Sequence, residues 1–172
     1  DGMGTTVVAM IVKGSKAFIA HVGDSRLYIY RNKKYFQITK DHSVVQKMVD
    51  EGIIKDSEME THPRKNQILQ AVGLNNVEPS LTAEVIYKND IILLCSDGLT
   101  GEVDTKTIFN LLNSNDMQLS TQKLINEANK NGGNDNITAI LVKVLSGGEK
   151  NFDPGASQII QPKKKKLKFS KF

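Results

Sequence analysis

A single cysteine, Cys95, is all the thiol the sequence offers. It cannot build an internal disulfide framework or a cysteine-based zinc site. No basic start followed by an apolar stretch is present, so no signal peptide is read. No apolar run approaches the roughly 18 residues that a membrane-spanning helix needs. The expected location is therefore cytoplasmic. Acidic residues are missing from positions 163–172, where six lysines stand. The overall formal charge is +4, and setting those lysines aside leaves residues 1–162 at −2. The body is thus mildly acidic and its basic character sits in the tail. That excludes a fold that spreads basic side chains over one face to hold nucleic acid, and no nucleic-acid partner is expected. The 172 residues suit one domain, with a 39% hydrophobic share held down by the tail and by Asn/Lys-rich loops. The chain opens with Asp1 in place of Met, which raises the expectation of a missing N-terminal segment.

What is present reads first as β-structure. Thr5–Val12 (TTVVAMIV) is rich in β-branched residues and predicts a buried strand. Lys13-Gly14-Ser15 turns the chain into a strand over Lys16–Val22, and Gly23-Asp24 ends it. Further strands are predicted over Ser25–Arg31 and Tyr35–Ile38, giving a meander of antiparallel hairpins. Ser43 is placed to cap a helix over Val44–Glu51, which Gly52 ends. A short helix near Ser57–Glu60 and short strands near Gln67–Ala71 and Leu81–Ile86 follow. Ile91–Ser96 is apolar enough to lie at a sheet centre. Asp104 is an N-cap for a helix through Leu112, and Ser120 or Thr121 opens another through Lys130. The loop Asn131–Asn136 leads into a last strand, Ile137–Val144. Adjacent hairpins in place of βαβ units predict stacked antiparallel sheets with helices outside.

Three aspartates end or precede apolar strands: Asp24 in AHVGDSRLYIY, Asp97 in IILLCSDGLT and Asp135 in NGGNDNIT. A carboxylate at a strand end is a rigidly mounted oxygen ligand, which suits hard cations such as Mg²⁺ or Mn²⁺. Each also has a plain structural reading. Aspartate fits turns, Asp135 could serve an Asx-turn, and Asp24 could pair with Arg26. Cys95 has no flanking base and no C-x₅-R phosphate loop after it, so a buried structural thiol is expected. His21 and His42 read as structural or surface residues.

Taken together, seven segments in order resemble the metal-dependent protein phosphatases, the type 2C or PPM serine/threonine phosphatases, and their bacterial branch in particular. They are GMGTT at Gly2–Thr6, AHVGDSR at Ala20–Arg26, KDHS at Lys40–Ser43, EGII at Glu51–Ile54, HPRKN at His62–Asn66, CSDGLT at Cys95–Thr100 and GNDNIT at Gly133–Thr138. The resemblance spans about residues 2–144. It implies an α+β fold, an antiparallel β-sandwich flanked by helices in α-β-β-α layers and incomplete at its N-terminus. It implies a C-terminal part of the phosphatase domain over residues 1–145, with a flap over about 39–66 and a flexible basic tail over 146–172. Asp97 and Asp135 match metal-binding aspartates, and Asp24 matches a ligand to a third metal, so two or three Mg²⁺ or Mn²⁺ ions are implied for the intact enzyme. His62 and Arg64 fall in the flap and would shape substrate access. The implied activity is hydrolysis of phosphoserine and phosphothreonine in protein targets of a Ser/Thr kinase, by a monomer.

The pattern also departs from the family. Thr5-Thr6 follows Asp1-Gly2 directly, so that pair is not read as the earlier Asp-Gly motif that bridges two metals. No residue matches the family's phosphate-binding Arg or catalytic His, so no catalytic residue is identified. The chain alone is expected to be inactive. The alternative is a non-catalytic binding or regulatory module with the same fold. Lys163–Lys166, Lys168 and Lys171 interleave with Leu167, Phe169 and Phe172. They are read as a solvated terminus or as a contact with an anionic membrane.

Overall fold

A computed structural model describes residues 3–112 and 116–148. Asp1 and most of the basic tail lie outside the described residues. Seven strands form two sheets: β1 (Val7–Lys13), β2 (Lys16–Val22), β3 (Arg26–Arg31), β4 (Lys34–Gln37), β5 (Ser80–Val85), β6 (Ile91–Cys95) and β7 (Ala139–Lys143). One sheet runs β1-β2-β5 and the other β4-β3-β6-β7, with antiparallel pairing throughout. Helices α1 (Val44–Asp50), α2 (Asp97–Thr100), α3 (Thr105–Leu111) and α4 (Met117–Lys130) complete the described elements, with a 3-10 turn at Asp56–Glu58.

The sheets meet through one face each. Ala17 and Ile19 of β2 close against Leu27 and Ile29 of β3 and Ile92 and Leu94 of β6, with Val8 and Met10 of β1 at the margin. This is the interior that the period-2 alternation of the strands predicts. The opposite face of the four-stranded sheet is covered by α3 and α4. There Tyr28, Leu93 and Cys95 pack on Ile108, Phe109, Leu124 and Ala128. Strand β6 is therefore buried along its whole length, as its unbroken apolar run requires.

Other expectations needed correction. The strand read as buried, β1, is a sheet edge, and Ile11 is 71% exposed. Its β-branched composition reports strand propensity, which burial does not follow. No strand forms over 67–71; isolated bridges link Ser43 to Ile68 and Thr5 to Val72 there. The last helix starts before Ser120, at Met117, because the Asp116 side chain accepts from the Leu119 amide. Elsewhere the predicted caps hold. Ser43 accepts from Gln46 N and Asp104 from Thr107 N.

A buried ion pair ties the sheets together. Asp90, 1% exposed, accepts from Arg31 Nε at 2.9 Å and Nη2 at 2.7 Å, and from the Tyr87 amide at 2.8 Å. Arg31 Nη2 also donates to the Val85 carbonyl of the other sheet at 2.9 Å, and its guanidinium lies 4.5 Å over the Tyr87 ring. Removing one partner of such a pair costs more than the pair contributes, since a buried charge then faces poor solvation. Asp90→Ala is expected to lower unfolding free energy by roughly 3 kcal/mol, read by urea denaturation. A change within experimental error would show the pair to be dispensable.

The described residues build three layers of the sandwich. On the outer face of the three-stranded sheet, Val7, Ala9 and Ile11 line up with Val22, Ala20 and Phe18, and Leu81 and Ala83 follow on β5. Val7, Ile11, Phe18 and Leu81 are exposed, and a shallow concavity of about 400 Å³ lies among Val7, Ala9, Ala20, Val22, Val72 and Leu74. Such a face beside a strand edge that no described strand pairs favours association. The 172-residue chain is expected to bind an apolar dye such as anilinonaphthalene sulfonate and to associate as concentration rises. Ile11→Lys is expected to reduce both, measured by fluorescence and light scattering.

Candidate metal centre

The antiparallel register of β3 and β6 pairs Arg26 with Cys95. Asp24 lies two residues before Arg26 and Asp97 two after Cys95, so both leave the same end of this ladder. Asp24 lies in the bend between β2 and β3, and Asp97 is the first residue of α2. Strand β7 joins on the other side of β6, pairing Cys95 with Ala139. The ladder continues through Ser96 N, which donates to the Thr138 carbonyl at 3.1 Å. The 133–138 loop that carries Asp135 thereby arrives at the same sheet end.

Two glycines allow the close approaches. Gly23 has φ +100, and a Cβ there would run into the Thr6 side chain. Thr6 Oγ1 sits 2.9 Å from Ser25 Oγ, so Thr6 packs against the Asp24 bend. At Gly98 a Cβ would lie 2.5 Å from the Asn136 carbonyl oxygen. Only a residue without a side chain lets α2 press on the Asp135 loop. Farther along, Asn131 Nδ2 donates to the Glu102 carbonyl and Asn134 Nδ2 to Glu102 Oε1, both at 2.8 Å.

The electrostatics follow from who pairs with whom. Arg26 does not pair with Asp24, contrary to the simpler reading of the sequence. Its Nε reaches both Asp41 oxygens at 3.0 Å and its Nη2 reaches Oδ2 at 2.7 Å, in a bidentate grip. Burial opposes the guanidinium charge, yet the Asp41 bonds hold its pKa above the ordinary value. Asp24 is left beside Asp97. Burial, and then the Asp97 charge, push the Asp24 carboxyl from 3.8 up to about 6. Among the described residues, none of the three candidate aspartates forms a salt bridge. Burial also raises Cys95 to about 12, which keeps it a protonated, inert thiol.

Asp135 is less engaged. Its Oδ1 accepts from the amide of the next residue, Asn136, at 2.6 Å, a local contact that is not the Asx-turn bond to the residue two positions on. No group of three or more His, Cys, Asp or Glu side chains among the described residues is arranged to hold a metal. The donor chemistry nevertheless fits a hard divalent cation. Asp24 and Asp97 repel one another by more than the Arg26 charge relieves, and magnesium-class ions are held by one or two carboxylates with water completing the shell.

Residues 39–66, expected to form a flap, are fixed where they begin. Asp41 is gripped by Arg26, and His42 N donates to the Gly23 carbonyl at 2.9 Å. The His42 ring stacks on His21 with centroids 4.6 Å apart. His42 Nδ1 accepts from Gly23 N, and its Nε2 meets Ser80 Oγ at 2.9 Å. Burial and then the His21 charge hold the His42 pKa below the ordinary value. Both histidines are thus structural pins for the Asp24 bend. His62 and Arg64 are not brought to the carboxylates by any described bond. Arg64 N donates to His62 Nδ1, and Arg64 Nε to Gln67 Oε1 at 2.8 Å. Sequence reasoning missed Asp41 as the partner that takes Arg26 out of play. The signal was its place in KDHS, one of the matched segments.

Comparison with known proteins shows what the chain resembles. Residues 1–48 match the family Protein phosphatase 2C. The serine/threonine protein phosphatase PstP of Mycobacterium tuberculosis is 39% identical over 160 residues, covering 93% of this chain and 30% of PstP. Protein phosphatase PhpP of Streptococcus pneumoniae is 38% identical over 146 residues, covering 83% of this chain and 59% of PhpP. Among solved structures, Mycobacterium tuberculosis PstP/Ppp superposes with a TM-score of 0.80 at 39% identity, covering 83% of this chain and 61% of that one. The catalytic domain of PstP in complex with two manganese ions gives a TM-score of 0.76 at 38% identity, covering 84% of this chain and 60% of that one. The chain therefore spans less than two thirds of these relatives.

The Asp24 shift gives a signed prediction. Its pKa is raised by folding, so the ionised form is penalised in the fold. The penalty is absent below 3.8, grows as pH rises, and is complete above about 6. Asp24→Asn is expected to raise the melting temperature of the metal-free chain at pH 7.5, with the gain fading towards pH 4. An equal effect at both pH values would contradict the origin of the shift.

Proposed function

The chain belongs to the metal-dependent protein phosphatase 2C family, in its bacterial serine/threonine branch, and from that premise we propose that the protein it forms part of hydrolyses phosphoserine and phosphothreonine in other proteins. The observation that carries the reading is that Asp24 and Asp97 leave the same end of the β3–β6 ladder and the Asp97 charge raises the Asp24 pKa, with Arg26 bonded to Asp41. That arrangement concentrates negative charge at a rigid sheet mouth and calls for a cation. One relative's structure holds two manganese ions. On this reading Mn²⁺ or Mg²⁺ ions are bound here by Asp97, Asp24 and, after the Asp135 side chain turns from its own loop, by Asp135. The chemistry they supply is activation of water and neutralisation of charge on the phosphoryl oxygens.

The chain's own part is mounting and orientation. Asp97 stands on the end of the fully buried β6, so its position is fixed by the core on both faces. Asp24 is fixed through its neighbours, by Gly23 against Thr6 and by Arg26 against Asp41. The substrates on this reading are products of Ser/Thr kinases. Little turnover is expected from the 172-residue chain alone. Its described residues bring together two carboxylates, and no arginine or histidine among them matches a family role in phosphate binding or proton donation. The rival reading, a binding module with the same fold, predicts no metal-dependent turnover in any context.

The experiment compares the full protein and its Asp97→Asn variant on a phosphothreonine peptide with Mn²⁺ present. Activity is expected to fall by about 100-fold or more, beyond what loss of a group supporting a ligand costs, and chelation of the wild type is expected to abolish it. Normal metal-dependent activity in Asp97→Asn would refute the assignment.

A further inference from the structure

Ser96 occupies the N-cap position of α2, where a serine hydroxyl ordinarily accepts from a backbone amide of the first helical turn. Here it makes no such cap bond. Its Oγ instead donates to the Asn136 carbonyl at 2.9 Å and accepts from Thr138 N at 3.0 Å. With Ser96 N donating to the Thr138 carbonyl, one residue makes three bonds to the loop that follows Asp135. These bonds begin where the regular β6–β7 pairing stops, at Cys95 and Ala139. Asp97 is the next residue after Ser96, and Asp135 the residue before Asn136. The hydroxyl is therefore the shortest described side-chain link between the backbones that carry the two carboxylates. Gly98 leaves room for this contact, and the Asn134–Glu102 bond closes the loop from its far side.

We propose that Ser96 is a positioning residue for the metal centre: its hydroxyl stitches the 133–138 loop to the end of β6 and so sets the separation of the Asp97 and Asp135 carboxylates. The helix cap is forgone, and the same hydroxyl extends the sheet past its last backbone pair. A cation shared by two carboxylates is sensitive to such a spacing, because ligand groups must be held before the ion arrives if affinity is not to be lost in ordering them. The proposal rests on the metal-binding reading above.

The test is binding of Mn²⁺ alone to the full protein, read without any substrate by the loss of the free-ion electron paramagnetic resonance signal. The metal-free melting temperature is measured alongside. Ser96→Ala is expected to weaken Mn²⁺ binding by about 10-fold or more, and Ser96→Thr, which keeps the hydroxyl, to recover most of it. A purely structural role would lower the metal-free melting temperature and leave the Mn²⁺ affinity unchanged. That result in Ser96→Ala overturns the proposal. Should Ser96→Ala not fold, Asn134→Ala loosens the same loop from the solvent side. Weakened Mn²⁺ binding there supports the proposal, and wild-type affinity overturns it. Asp97→Asn separates the two levels: if it binds Mn²⁺ as the wild type does, the metal-binding reading itself fails.

Discussion

Arg26 grips Asp41 through both carboxylate oxygens, and in doing so it withholds the nearest guanidinium from Asp24. Asp24 and Asp97 leave the same end of the β3–β6 ladder. The consequence is a pair of carboxylates at a sheet end in which burial and the Asp97 charge outweigh the relief that the Arg26 charge gives Asp24. Had Arg26 turned to Asp24, the same strands would carry an ordinary surface ion pair with nothing to offer a metal. The charge deficit at the sheet mouth is thus a product of pairing choice as much as of acidic content.

That choice is held by structure some distance away. Asp41 belongs to the 39–43 stretch, which is pinned to the Asp24 bend by the stacked His21 and His42 rings and by two bonds between His42 and Gly23. That stretch and the Asp24 bend therefore form one packed unit, which holds the residue that bonds Arg26. The opposite flank is built differently. There the 133–138 loop leans on α2 through Gly98 and is sewn to the sheet by Ser96. One carboxylate is set by an ion pair, and the other by a close approach and a hydroxyl.

The sheets meanwhile differ in their surroundings. The four-stranded sheet is covered on both faces, so β6 and its Asp97 are rigidly mounted. The three-stranded sheet shows solvent an apolar outer face that includes Phe18, Ile11 and Leu81. Relatives that superpose closely are longer than this chain. A stability measured on these 172 residues reports that exposed face together with the site.

Several features were legible in the sequence because they depend on local chemistry. Strand alternation named the sheets, Ser43 and Asp104 marked helix starts, and the apolar run into Asp97 marked the buried central strand. The three aspartates could be singled out because an acid at the end of an apolar strand is set at a sheet mouth. Other features depend on partners far apart in the chain. The exposure of β1 is decided by what lies beside it in space, and residue types cannot report that. Whether Arg26 meets Asp24 or Asp41 depends on how residues 39–43 fold back over the β2–β3 bend. The link from Ser96 to Asn136 spans 40 residues and exists only because β7 docks on β6. Sequence determined which groups were available and on what local mounts; tertiary packing alone decided which charges meet, since pairing energy depends on distances that only the folded chain sets.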